Sequence, residues 1–363
     1  MRLRSRVLVG REPELALLGD ALLGAAAGEP AALVLTGDAG VGKSRLLDEA
    51  RVRAEAAGFL ALCGHAAPLS GGAAPLLPVA DALGGVRERL PGEAWRALAD
   101  GLPAGVAWLV SGVAPPAGDG AGMERTQVLE LVVRLLRRLA AARPVLLTVD
   151  DVQWADGSTR DLLAYAVRAL RDERLLVAVA IRGEELSGDA ALRTWTAELA
   201  RAPRARRLDL GPLGRDAVAE QLADLLGAAP PDELAERVFA RSGGNPFLAE
   251  ELVAAAGDGD ALPGSLRELL LARTAGLTVD ARRLVRAAAA AGRSCDPRLP
   301  GGVAGRDADA LDAALADAVA HAVLVSDGAR VAFRHDLVRD QDLGLETDRE
   351  RVGQAETHPC GVG

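Results

Sequence analysis

The sequence predicts an α/β fold: a parallel β-sheet with helices on both faces, followed by an all-helical segment and a winged-helix-like unit. Three observations carry this. Short apolar runs alternate with amphipathic stretches up to residue 210, as strands buried on both faces require. One run, 31–36, ends in a glycine-rich loop that opens directly into a helix. After about 211 the apolar spacing turns helical until a hairpin pattern near the end.

Residues 7–11, VLVGR, are a short apolar run closed by Gly-Arg. Glu12 to Ala27 reads as a helix with Leu15, Leu18, Leu22 and Leu23 on one face, ended by Gly28-Glu29-Pro30. The strand at 31–36 and its loop lead into a helix to about Ala57, and Phe59 to Cys63 is a second strand. His65 to Gly120 is irregular and rich in Gly and Pro, with short helices expected near 76–90 and 93–101. Glu124 to Ala142 places Val128, Leu131, Val132, Leu135, Leu136 and Leu139 on one helical face, and Pro144 stops it. Val145 to Val149 is a strand closed by Asp150-Asp151; a helix follows over about 158–171, capped by Asp156 or Ser158. Strands at 175–181 and 207–210 complete the sheet.

Helices are expected at 214–227, 231–242, 246–256, 263–276 and 278–292. AVLVS (322–326) and ARVAF (329–333), joined through Asp327-Gly328, predict a hairpin. The expected domains are therefore a core over 1–210, a helical lid over 211–262 and a winged-helix-like unit over 263–340. The polar tail 341–363 lacks periodicity and is expected to be disordered.

Half of the 363 residues are apolar but only 2% are aromatic, so the cores must be packed with Leu, Val and Ala. The net charge of −9 supplies no global basic field for nucleic acid. Arginine clusters at Arg134, Arg137 and Arg138, and at Arg201, Arg204, Arg206 and Arg207, read as solvated faces. Three scattered cysteines argue against a disulfide framework or a zinc site. The N-terminus lacks the apolar segment of a signal peptide, and no run of 18 apolar residues occurs. A cytoplasmic protein without membrane contact is expected.

The loop reads Gly37-Asp38-Ala39-Gly40-Val41-Gly42-Lys43-Ser44 and satisfies G-x-x-x-x-G-K-[ST] at each fixed position. Glycines let backbone N–H groups wrap phosphate oxygens, and the following helix adds free amides and a partial positive charge. Lys43 is the sole lysine in the sequence. It suits the β- and γ-phosphates, and Ser44 offers a hydroxyl to Mg²⁺. Asp150 suits the second Mg²⁺ position and Asp151 the polarisation of an attacking water, although aspartate is short for that task. Arg182, at the end of the 175–181 strand, reads either as a γ-phosphate contact or as a surface arginine closing a strand.

With these residues placed, the chain resembles the ATPase module of the STAND class of signalling P-loop NTPases. It looks most like the large ATP-binding LuxR-type (LAL) transcriptional regulators, which share an Orc-like AAA module with some bacterial cyclases and kinases. The resemblance runs, in order, through LVGREPEL (8–15), GDAGVGKSRLL (37–47), VLLTVDDVQWAD (145–156), AIRGEEL (180–186), LGPLGRDAV (210–218), SGGNPFLAEEL (242–252), LPGSLRELL (262–270) and FRHDLVRD (333–340). It implies an ATP-binding regulatory switch with slow Mg²⁺-dependent hydrolysis, and a homo-oligomer in the ATP state. It also implies that Val9, Gly10 and Arg11 lie at the adenine, that Arg45 joins the loop residues in binding, and that Pro246 packs on the base. His335 falls where some relatives place a nucleotide-sensing histidine; a lone histidine is also a common packed residue. Gly243-Gly244-Asn245-Pro246 reads equally as a helix stop and restart.

Family members continue into helical repeats and a DNA-binding helix-turn-helix, and the tail after FRHDLVRD resembles neither. The expectation is a fragment or a stand-alone switch, with no DNA binding by this chain alone. An ATPase acting on nucleic acid, and an interaction module with structural nucleotide, are the competing readings.

Overall fold

The computed structural model describes residues 5–67, 75–84, 86, 92–93, 109, 125–169, 171–255, 276–291, 294–295, 308–321, 323–326 and 331–333. Two compact units are resolved: Arg11–Gly211, and the residues up to Gly10 together with those from Pro212 onward.

The first unit follows the expected alternation. Its elements are α1 (Glu12–Ala26), β1 (Ala31–Gly37), α2 (Lys43–Ala56), β2 (Leu60–His65), α3 (Leu77–Gly84), α4 (Arg125–Ala142), β3 (Val145–Asp150), α5 (Gly157–Ala169), β4 (Leu175–Arg182), α6 (Gly183–Gly188), α7 (Ala190–Ala200) and β5 (Ala205–Leu210). The five strands form one sheet in the order β2-β3-β4-β1-β5, with every neighbouring pair parallel.

Side chains alternate between two covered faces, as the pleat demands. On one face Leu33, Leu35, Ala178 and Leu208 meet Leu18 of α1 and Leu46, Leu47 and Ala50 of α2. On the other, Leu147, Val149, Val177, Val179 and Ile181 join a cluster with Leu136, Leu139, Leu162, Leu163 and Trp195. Each such Leu or Val contributes about 1.5–3 kcal/mol by leaving water. The register brings functional ends together: Gly37 lies opposite Arg182 and Leu210, and His65 opposite Asp150. β4 stands between β1 and β3, so the loop strand and the Asp150 strand are not neighbours.

The alternation leaves 183–204 without an element, yet α6 and α7 lie there. α7 is capped by the Asp189 carboxylate, which accepts from Ala191 N at 2.8 Å and Leu192 N at 3.0 Å. Alanine and threonine dilute its apolar period, and its burial rests on Leu192, Trp195 and Leu199. The helix expected near 76–90 is represented by α3 and a helical residue at 86; that near 93–101 lies almost wholly outside the described residues.

The second unit holds α8 (Arg215–Leu226), α9 (Asp232–Ser242), α10 (Pro246–Ala255), α11 (Val279–Ala291), β6 (Ser294–Cys295), α12 (Ala308–Ala320), β7 (Leu324–Ser326) and β8 (Val331–Phe333). Val9, Leu213, Leu222, Leu248, Leu284, Val323 and Phe333 share its core. The expected hairpin is present as β7 and β8, paired antiparallel with Leu324 opposite Phe333. A third strand, β6, pairs with β8, and α12 packs here too; neither was legible in the spacing. The helix at 263–276, the turn Asp327-Gly328, His335 and the tail 341–363 lie outside the described residues, apart from Gly276.

Asp156 caps α5 and ties it to α3. Its carboxylate accepts from Ser158 N at 2.7 Å, Thr159 N at 3.2 Å, the Thr159 hydroxyl, and Leu76 N at 3.1 Å. Asp156→Ala should cost about 1–2 kcal/mol in denaturant unfolding and lower the melting temperature by several degrees.

Candidate phosphate-binding site

The loop begins where β1 runs out of partners. Gly37 has φ +154°, and a Cβ there would sit 2.5 Å from Leu210 O and 3.0 Å from Val41 Cγ1, so a side chain cannot be admitted. A Cβ at Gly42 would meet nothing within 4 Å. The Gly42 φ of +106° lies in the left-handed region that favours glycine. Beside the loop, at the ends of β1 and β5, lies a cavity of about 330 Å³ lined by Thr36, Gly37, Gly183, Leu186, Asp209 and Gly211.

Lys43 opens α2 and is buried. Its ammonium donates to Gly37 O and Asp38 O, both at 2.8 Å, folding the loop around the cation. Burial pulls its pKa down; Glu184 is the strongest charge opposing that, Arg182 adds to it, and Asp151 and Asp150 also oppose it. Ser44, next in the helix, has its side chain beside Asp150 and favours the charged form of that carboxylate. Asp150 is buried at the end of β3 and accepts Asp151 N at 2.8 Å. Desolvation raises its pKa above 3.8, the nearby Ser44 side chain works against this, and the charge of Asp151 adds to it.

Asp151 sits at φ +54°, left-handed for a residue with a Cβ. Its Oδ1 accepts from Gln153 Nε2 at 2.6 Å and Arg182 Nε at 3.1 Å. Gln153 Oε1 accepts Arg182 N at 3.2 Å, and the Arg182 guanidinium lies 4.3 Å over the Trp154 ring. Arg182 is therefore paired with Asp151 and stacked on an aromatic face.

Arg11 is buried and braces the loop. Its Nη2 donates to Val41 O at 3.0 Å and Gly211 O at 2.6 Å, and its Nη1 reaches Glu14 at 3.3 Å. It thus joins the two ends of the first unit to the phosphate loop. Asp38 O accepts Val41 N at 3.3 Å inside the loop, and Arg45 is half-buried one residue beyond Ser44.

Gly37, Asp38, Val41, Lys43, Ser44, Asp150, Asp151 and Arg182 are thus brought together through bonds or through charges felt at Lys43. Val9, Gly10 and Pro246 belong to the second unit. There Asn245 caps α10, accepting Phe247 N at 3.1 Å and Leu248 N at 3.3 Å. A Cβ on Gly244 would fall 2.2 Å from Leu213 O, so this glycine has a packing reason. Glu184 was missed: its Oε1 accepts Ala39 N at 3.1 Å. The available signal was its place two residues after Arg182, in the same AIRGEEL segment.

A glycine-rich loop at the end of β1, and an acidic strand end separated from it by one strand, define a P-loop NTPase fold. Residues 7–181, just under half of the chain, match the AAA ATPase domain family. An uncharacterized protein of Rhizobium meliloti (strain 1021) is 27% identical over 269 residues, covering 68% of this chain and 24% of that protein. The chain thus spans about a quarter of that relative's length. Among solved structures, a Walker-type ATPase of Pyrococcus abyssi aligns with a TM-score of 0.58 at 14% identity, over 93% of this chain and 97% of that one. A STAND protein of Pyrococcus horikoshii with a tetratricopeptide repeat sensor aligns at 0.41 and 14%, over 93% of this chain and 42% of that one. The first likeness is one of fold. No helix among the described residues is long and apolar enough to cross a membrane.

The raised pKa of Asp150 has a stability consequence. Between the unfolded value near 3.8 and the folded value, the folded state holds the extra proton, so stability falls as pH rises through that window. Asp150→Asn keeps an acceptor for Ser44 and removes the buried charge. Without nucleotide, this variant should melt above the wild type at pH 7, and calorimetry should find the gap narrowing toward pH 4.

Proposed function

We propose that this chain is the ATP-binding switch module of a LuxR/LAL-type transcriptional regulator, with slow Mg²⁺-dependent hydrolysis. The meeting of the Ser44 side chain with the Asp150 carboxylate carries the reading. It joins two oxygen donors from distant stretches of sequence, one residue from a lysine already folded into a phosphate-type loop. Exposed hydroxyl and buried carboxylate are hard oxygen ligands, and the pair fits Mg²⁺. When bound, that ion supplies charge neutralisation to phosphate oxygens.

The chain's own residues supply the rest. The loop amides from Gly40 to Ser44 bind phosphate oxygens, and Gly42 leaves their approach open. Lys43 exchanges a backbone carbonyl for a β- or γ-phosphate oxygen. Asp151 orients water, with Arg182 as its partner and as a contact for the terminal phosphate. Since Asp151 is already bonded to Gln153 and Arg182, it orients better than it accepts protons, which accords with low turnover. Arg11 holds the loop in shape and, with Val9, Gly10 and Pro246, is assigned to the base by the resemblance; Arg45 and His335 are assigned to the nucleotide on the same ground. The domain division we favour is 1–210, 211–262 and 263–340.

The regulator assignment rests on the ordered sequence motifs. ATP and ADP are the two inputs, a homo-oligomer is expected with ATP, and the charge of −9 speaks against DNA as a ligand. Calorimetric titration should give ATP and ADP binding that weakens about 10- to 100-fold in Lys43→Ala, the worth of a charge-assisted contact; undiminished affinity would sink the assignment. Turnover without a partner should be on the order of 10⁻³ per second or lower. Strong stimulation by DNA would instead favour an ATPase acting on nucleic acid.

A further inference from the structure

Glu184 is seated against the glycine-rich loop. It lies in the first turn of α6, directly after β4. One carboxylate oxygen, Oε1, takes the Ala39 amide of the loop at 3.1 Å. The other, Oε2, is buried and has no hydrogen-bond partner among the described residues. A carboxylate stripped of water on one oxygen is costly unless positive charge compensates it. That charge comes from the loop itself, because Glu184 is the strongest ionic neighbour of the Lys43 ammonium.

The loop has two ends. Gly42, Lys43 and Ser44 form its helix end, and Asp38 and Ala39 its strand end. The strand end is where Lys43 anchors on Gly37 O and Asp38 O, and where Gly37 runs beside Arg182 in the sheet. A phosphate chain held by the helix end and extended past the lysine brings its terminal group to this strand end. A third phosphate then competes with Glu184 for Ala39 N–H and meets a like charge. A second phosphate, held nearer the helix, meets less of it.

From this we infer that Glu184 is a specificity-determining residue that sets the nucleotide preference of the loop, disfavouring the terminal phosphate of ATP and ranking ADP above ATP. The inference rests on the reading of the loop as a phosphate cradle. The carboxylate acts as an internal anion: it occupies a loop amide until a terminal phosphate displaces it. The displacement involves no bond making or breaking, only exchange of one anionic acceptor for another on the Ala39 amide.

The test compares Kd values for ADP and ATP, each with Mg²⁺, on the full chain by calorimetry over times short against turnover. Glu184→Gln keeps shape and acceptor and removes charge. It should tighten ATP about tenfold while leaving ADP within about twofold, the size expected for relief of a like-charge contact. Glu184→Asp, which withdraws the charge by one methylene, should give an intermediate ratio. Glu185→Gln removes an exposed charge from the same turn and should leave the ratio unchanged. An unaltered ATP-to-ADP ratio in both Glu184 variants, or an equal shift in Glu185→Gln, overturns the inference while wild-type binding of both nucleotides leaves the cradle reading intact. Slower turnover in Glu184→Gln with an unchanged ratio would make the residue a participant in hydrolysis instead, and also overturns it. Wild-type protein that binds neither nucleotide overturns the cradle reading, and this inference with it.

Discussion

A buried ammonium has to be surrounded by oxygen, and the phosphate loop is shaped by that need. Lys43 gives up water as α2 packs on the sheet and recovers hydrogen bonds from two loop carbonyls. Burying it is unfavourable, and Glu184, Asp151 and Asp150 offset the cost from three different segments. Removing the cation would leave those carboxylates facing one another. The loop, the acidic end of β3 and the turn after β4 are in this sense one electrostatic unit.

The parallel sheet makes such a unit possible. Parallel strands end on the same edge, so Gly37, Asp150 and Arg182 all finish together. Interposing β4 between β1 and β3 sets Arg182 between the loop and the acidic pair. Trp154 and Gln153, from the single helical turn after β3, then fix the arginine by stacking and by its backbone amide. Arg11 adds a brace from the opposite side, holding Val41 O of the loop together with Gly211 O at the close of the unit.

Much of this was legible in the residues. The runs AALVLT, VLLTVD and LLVAVA are too apolar and too short to be anything but buried strands, and each is one. The match of Gly37, Gly42, Lys43 and Ser44 to the loop pattern needed no coordinates. α7 was not legible, because AALRTWTAELA buries only a few residues against the sheet and its alanines and threonines blur the period. β6 is two residues long and has no pattern of its own. Glu184 was hidden for another reason: its part depends on where α6 begins relative to the loop, about 145 residues earlier in the chain.

The order of residues by itself determined the alternation of strands and helices, the phosphate-type loop, and which carboxylates and arginine stand at strand ends. These follow from local rules: apolar period, turn chemistry and the steric freedom of glycine. Only the tertiary structure decided the strand order, the meeting of Ser44 with Asp150, the pairing of Asp151 with Arg182, and the seating of Glu184 on the Ala39 amide. Those depend on which distant segments share an edge of the sheet, and hydrophobic spacing specifies that a strand is buried without naming its neighbour.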